Sequence, residues 1–133
     1  MWNKYGNKKV TTDEGTFDSK GEYARWLFLK DAERRGEIKD LQRQVRFSLV
    51  PPVHYTKTVQ LKTKAKQVER LWTQEVTYTA DFVYSFHGAT VVEDFKGMPN
   101  DRWPIKKALM AFVHGIYVRE VRRPAEPIHN QEQ

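Results

Sequence analysis

The chain has 133 residues, with 23 Lys and Arg against 17 Asp and Glu for a formal charge of +6, and it contains no cysteine. That length suits one domain whose core is built from four Trp, six Tyr and seven Phe, and the missing cysteines exclude a disulfide framework or a thiolate zinc site. No apolar run reaches membrane-spanning length and Met1 to Val10 is polar and basic, so a soluble cytoplasmic protein with no membrane partner is expected.

In chain order, the first expected feature is a basic N-terminal arm carrying Lys4, Lys8 and Lys9. Tyr23, Trp26, Leu27 and Leu29 then recur at helical spacing, with no breaker from Glu22 to Arg35 and a stop at Gly36, which predicts a helix near 19–35. Ser19-x-x-Glu22 reads as a capping box at its start. A strand is expected near 42–50, ended by Pro51-Pro52. Residues 53–75 read as either an extended ribbon or a short helix, an insertion or substrate-contacting flap. A hairpin over 74–96 follows, then a helix with Pro104 in its first turn running to about His114, and a final strand from Ile116 to Val121. The domain is expected over 1–123 and a loose tail over 124–133, where Pro124, Pro127 and polar residues gather. His54, His87, His114 and His129 show neither paired metal spacing nor a Ser/Asp partner set.

The chemistry concentrates in the hairpin. Alternation puts Val76, Tyr78, Ala80, Phe82 and Tyr84 on one face of its first strand and Asp81 on the other, and puts Thr90, Val92, Asp94 and Lys96 together on the second strand, with Glu93 opposed. A turn at Phe86-His87-Gly88-Ala89 would bring Asp81 beside Asp94, to within one residue of register. Two carboxylates suit Mg²⁺, which prefers oxygen ligands and keeps waters and phosphate oxygens, and a neighbouring lysine suits water activation and charge stabilisation. The plainer reading is a cross-strand ion pair between Asp81 and Lys96 with Asp94 solvated. Glu22 likewise has two readings, the capping box alone or a third carboxylate delivered to the hairpin.

Glu22 on an early helix, the strand Thr79-Ala80-Asp81-Phe82 and the strand Val92-Glu93-Asp94-Phe95-Lys96-Gly97 resemble the PD-(D/E)XK, or restriction-endonuclease-like, nuclease superfamily. Lys4-Tyr5-Gly6-Asn7-Lys8-Lys9-Val10, the helix start Phe17-Asp18-Ser19-Lys20-x-Glu22 and the stretch from Gly36-Glu37-Ile38 through Leu41 and Gln44-Val45 to Phe47 resemble a family of small phage-encoded nucleases, over roughly residues 4–118. More distantly the chain is similar to phage junction-resolving endonucleases. Ala80 stands where the superfamily name has proline, and the Glu93-Asp94 doublet offers two carboxylates, of which alternation selects Asp94.

The resemblance implies an α/β fold with a central mixed β-sheet flanked by helices. It implies metal binding by Glu22, Asp81 and Asp94 with Mg²⁺, for which Mn²⁺ would substitute, catalysis by these residues with Lys96, and a supporting role for Gln44. The expected activity is a metal-dependent DNA endonuclease acting on branched or structured DNA in phage DNA metabolism, in the host cytoplasm. Lys8, Lys9, Lys106 and Lys107 are the expected DNA contacts, and symmetric cutting of two strands would suit a homodimer. The alternatives are a non-catalytic nucleic-acid-binding module and a nicking or single-strand nuclease of the same fold.

Overall fold

The computed structural model describes residues 8–96 and 100–128, so Lys4, Gly97 and the end of the expected tail, 129–133, lie outside the described residues. The elements in order are β1 (Val10–Thr12), β2 (Gly15–Phe17), α1 (Lys20–Arg34), β3 (Lys39–Val50), β4 (Val53–Gln60), β5 (Ala65–Thr73), β6 (Val76–Phe86), β7 (Ala89–Phe95), α2 (Arg102–His114) and β8 (Arg119–Val121). The fold is mixed α/β. Its main sheet has the strand order β3-β6-β7-β8, with β6 antiparallel and β7 parallel to their partners β7 and β8. The chain forms two compact units, one of Met1–Val45 with Ala80–Gln133 and one of Arg46–Thr79.

In the first unit α1 begins where the capping chemistry dictates. Ser19 is extended at φ −157° and its Oγ accepts from the Glu22 N–H at 3.1 Å. The Glu22 carboxylate closes the box one residue earlier than expected, accepting from the Asp18 N–H at 2.7 Å. At the other end Gly36 takes φ +81°, the left-handed conformation that ends helices at low cost. The buried side of α1 carries Leu29 and Ala32 into a core with Ile38, Phe82, Tyr84, Val91, Phe95 and Val121. Trp26 stacks on Phe82 with ring centroids 6.1 Å apart. Gly21 sits so close to Phe95 that a Cβ there would lie 2.9 Å from the ring, which lets the helix start settle onto the end of β7.

The β6–β7 turn falls at His87-Gly88, both with positive φ, the geometry that matches strand twist in a two-residue hairpin. Val91 to Phe95 are all buried, so β7 is covered on both faces and its alternation is hidden in the burial pattern. The Glu93-Asp94 doublet nonetheless divides as expected. Glu93, wholly buried, receives Arg25 from α1 in a bidentate pair, Nε to Oε1 at 2.8 Å and Nη2 to Oε2 at 2.7 Å, and also the Tyr84 hydroxyl. Arg119 of β8 stands 3.8 Å from the same carboxylate.

Four expectations are corrected here. The final strand expected from Ile116 begins only at Arg119, and residues 10–17, given no element of their own ahead of the helix, form the β1–β2 hairpin, with Val10 opposite Phe17. The strand expected to run through 96 ends at Phe95, because Lys96 takes φ +69° and leaves the pleat. The tail expected to be loose from 124 is held through Ile128: Arg25 Nη1 donates to the carbonyls of Pro124 at 3.1 Å and Glu126 at 2.5 Å, Arg119 donates to that of Pro127, and Ile128 packs on the core. Two buried guanidiniums need more acceptors than one carboxylate offers, and the backbone of this segment supplies them.

The second unit contains a long antiparallel hairpin of β4 and β5, resolving the 53–75 ambiguity in favour of the extended ribbon. Val53 pairs with Thr73 and His54 with Leu71, so Trp72 is the extra residue of a bulge.

The Arg25–Glu93 pair yields a test. Arg25→Ala would leave a buried carboxylate without its main partner and free the 124–128 segment, and urea unfolding should show a loss of about 3–5 kcal/mol. A loss below about 1 kcal/mol would contradict the role assigned to the pair.

Candidate active site

The site lies where β6 and β7 part. Their ladder closes with Phe82 opposite Glu93, and one further rung would set Asp81 opposite Asp94. The Asp81 side chain takes the place of that rung: its Oδ2 accepts from the Phe95 N–H at 2.8 Å. Asp81 also shares hydrogen bonds with Glu22 on one side and Asp94 on the other, so three carboxyl groups from α1, β6 and β7 meet. Glu22 is only 3% exposed and Asp94 only 6%.

Gln44 joins them from β3, its Nε2 donating to Asp81 Oδ1 at 3.3 Å. It does so from φ +53°, a left-handed conformation that a non-glycine residue within a strand adopts at a cost. On the far side, β8 places Glu120 beside Asp94 in parallel register. The sheet therefore carries Gln44, Asp81, Asp94 and Glu120 on successive strands, β3-β6-β7-β8. Glu120 is a site neighbour that sequence reasoning missed. Alternation over Arg119 to Val121 marks it as opposed to its neighbours, but only the pairing of β8 with β7 brings it to Asp94.

Burial and crowding favour the neutral form of a carboxyl, and the shift runs in that direction at all three. Burial is the first cause at each. It raises Glu22 to about 8, helped by the hydrogen bond and charge of Asp81, and raises Asp81 to about 7, with Asp94 adding to the shift and Glu22 opposing it. Asp94 is raised as well, by burial and by the charges of Glu120 and Glu22. Glu120 goes the other way, lowered by Trp103 Nε1 at 3.1 Å and Lys107 Nζ at 3.2 Å, which outweigh the opposing effect of burial. One oxygen stands apart: Asp94 Oδ2 is buried without a hydrogen-bond partner among the described residues. A buried carboxylate oxygen left so is costly unless something else binds it.

The expected lysines are placed differently from one another. Lys96 is exposed just past the end of β7, its Nζ 5.9 Å from the Phe95 ring centroid, and no ion pair engages it among the described residues. The cross-strand pair between Asp81 and Lys96 is therefore not formed. Its left-handed backbone shows that a shared face with Asp94 does not extend to residue 96. Lys107 is paired with Glu120, Lys106 is half-buried, and Lys8 and Lys9 are exposed ahead of β1.

Among the described residues, no group of three or more His, Cys, Asp or Glu closes around a common metal position. The carboxyls hold each other instead, in pairs. As oxygen donors they suit a hard cation, which takes only one or two carboxylates and completes its shell from water and phosphate.

The pKa directions set a pH dependence with a definite sign. A carboxyl raised in the folded state, Glu22 from 4.5 to about 8 and Asp81 from 3.8 to about 7, contributes stability that is complete below the unfolded value and is lost as pH rises through the folded one. In EDTA, Asp81→Asn should therefore gain thermal stability relative to the unsubstituted chain as pH rises from about 4 to about 8. A difference in melting temperature that stays flat across that window would show that the cluster does not hold protons.

Comparison with curated proteins and with solved structures finds no match. A family described as "Protein of unknown function (DUF1064)" matches residues 2–122. That span covers most of the 133 residues, and the chain belongs to this family.

Proposed function

We propose that the protein is a metal-dependent DNA endonuclease of the PD-(D/E)XK type, cutting phosphodiester bonds in branched or otherwise structured DNA. The observation that carries this reading is the meeting of Glu22, Asp81 and Asp94 from three separate elements, with Asp94 Oδ2 buried and unbonded. Structural carboxylates are ordinarily given cationic partners. Glu93, next in sequence, has two arginines, whereas these three have one another. The mixed sheet with α1 against its strands is compatible with a restriction-endonuclease-like fold, and Gln44 and Lys96 add two left-handed non-glycine residues at the same place.

The donor set fits Mg²⁺, held by Asp81 and Asp94 with Glu22 binding directly or through water. Bound there, the cation would neutralise charge on the transferring phosphoryl group and lower the pKa of the attacking water. Asp81 is held for this task by the Phe95 N–H and by Gln44, which fix both of its oxygens. Glu22 is held by the Asp18 N–H, so its capping role and its position beside Asp81 are one arrangement. Lys96, exposed and unpaired among the described residues, would orient the attacking water and stabilise the developing negative charge. Lys8 and Lys9 would add phosphate contacts. Cutting both strands of a symmetric substrate would use two copies related by a two-fold axis.

Supercoiled plasmid and a four-way junction incubated with Mg²⁺, Mn²⁺ or EDTA should be cut only with metal, and Asp81→Ala, Asp94→Ala and Lys96→Ala should each reduce the rate at least about 100-fold. Glu22→Gln should lose activity with a melting temperature no lower than that of the unsubstituted chain, because glutamine still completes a capping box and carries no charge to bury but binds cations poorly. Metal-dependent cutting that survives Asp81→Ala would sink the assignment. DNA binding with no cutting under any metal would mark a non-catalytic module.

A further inference from the structure

The β4–β5 ribbon sorts its side chains by charge. The register pairs Tyr55 with Arg70, Lys57 with Val68 and Val59 with Lys66, so these six residues share one face. His54, Leu71, Thr56, Glu69, Thr58 and Gln67 occupy the other. Every lysine and arginine on the two strands thus falls on the first face, while their one carboxylate, Glu69, falls on the second, 3.8 Å from His54. The two signs therefore lie on opposite faces of the ribbon. Lys57, Lys66 and Arg70 are exposed, and no ion pair engages them among the described residues. They occupy successive rungs, about 7 Å apart at two residues per step.

The same face carries aromatics that no core uses. Trp72 is 69% exposed and Tyr55 43%. Their rings meet edge to face at 5.6 Å, which puts the bulged Trp72 on the Tyr55 side of the ribbon and leaves an indole plane open to solvent. An exposed indole is costly to keep in water, and the edge contact with Tyr55 leaves Trp72 69% exposed.

We propose that this face binds single-stranded DNA, with Lys57, Lys66 and Arg70 on successive phosphates and Trp72, propped by Tyr55, stacking on an unpaired base. Polyanion and cation ladder are complementary in charge, and the aromatic platform selects strand type. Bases in a perfect duplex are already stacked and offer only their edges, whereas an unpaired base offers a π-face. The choice of DNA rests on the endonuclease reading above, and a structured substrate of that enzyme would present such strands at its branch.

The test is binding of a fluorescein-labelled single-stranded oligonucleotide by the full chain in EDTA, followed by anisotropy across a salt series. Because nothing is cut, the result does not depend on the carboxylate site. All substituted side chains are exposed, and unchanged melting temperatures would verify folding. Lys57→Gln with Lys66→Gln and Arg70→Gln should weaken binding and flatten the slope of log K against log salt by about 2, at about 0.7 per lost contact on a single strand. Trp72→Ala should weaken binding about ten-fold with the slope unchanged, and Trp72→Phe should restore most of it. Thr58→Ala with Gln67→Ala, on the opposite face, should change neither. Unaltered affinity and slope in the triple variant would overturn the proposal. So would a perfect duplex binding more tightly than the single strand with no effect of Trp72→Ala, and tighter binding of RNA of the same sequence would overturn the assignment to DNA. Loss of cutting in the cleavage assay with these binding results intact would instead count against the endonuclease reading alone.

Discussion

The buried pair of Arg25 and Glu93 is the constraint around which the first unit is arranged. Two charges enter the interior together, at 2.7 and 2.8 Å, and neither could be there without the other. The pair ties α1 to β7 at a single register. Glu22 lies three residues before Arg25, close to one helical turn, so fixing the guanidinium also fixes the first turn of the helix. Phe95 against Gly21 completes the docking. On the strand, Glu93 and Asp94 point to opposite sides, and anchoring the first presents the second to Asp81.

The contrast between those two adjacent carboxylates separates structure from candidate chemistry. Glu93 has Arg25, Arg119 and Tyr84 around it and is balanced as a structural ion. Asp94 has Asp81 as a hydrogen-bond partner and Glu120 and Glu22 as like-charged neighbours, with one oxygen unbonded among the described residues. Burial first, and then the nearby carboxyls, Asp81 at Glu22 and Asp94 at Asp81, raise Glu22 to about 8 and Asp81 to about 7. Such an arrangement costs stability near pH 7 in the absence of a cation. Paired titratable groups pushed this far are common at functional sites.

Much of this was legible in the residues. Alternation in β6 and the two-residue turn at His87-Gly88 place Asp81 beside Asp94, and Ser19-x-x-Glu22 marks the start of α1. What alternation could not carry was Lys96, because a backbone at φ +69° ends the strand one residue sooner than the pattern suggests. Glu120 was hidden because a parallel neighbour arrives through a helix, and nothing local to Arg119-Glu120-Val121 names its partner. The 124–128 segment reads as loose by composition, and only the demand of two buried guanidiniums for acceptors explains its order. The β4–β5 ribbon was ambiguous for a similar reason: both of its faces are exposed over most of its length, so no hydrophobic alternation marks it as strand.

Calorimetric titration of Mn²⁺ into the protein at pH 7, repeated in buffers of different ionisation enthalpy, would show whether this carboxyl cluster exchanges protons for a cation. Displacing protons from Glu22 and Asp81 should release them to the buffer, so the observed heat should vary with the buffer, and Asp81→Asn should abolish both the binding and that dependence. Saturable binding without proton release, or binding that persists in Asp81→Asn, would contradict the account of this cluster as the cation site.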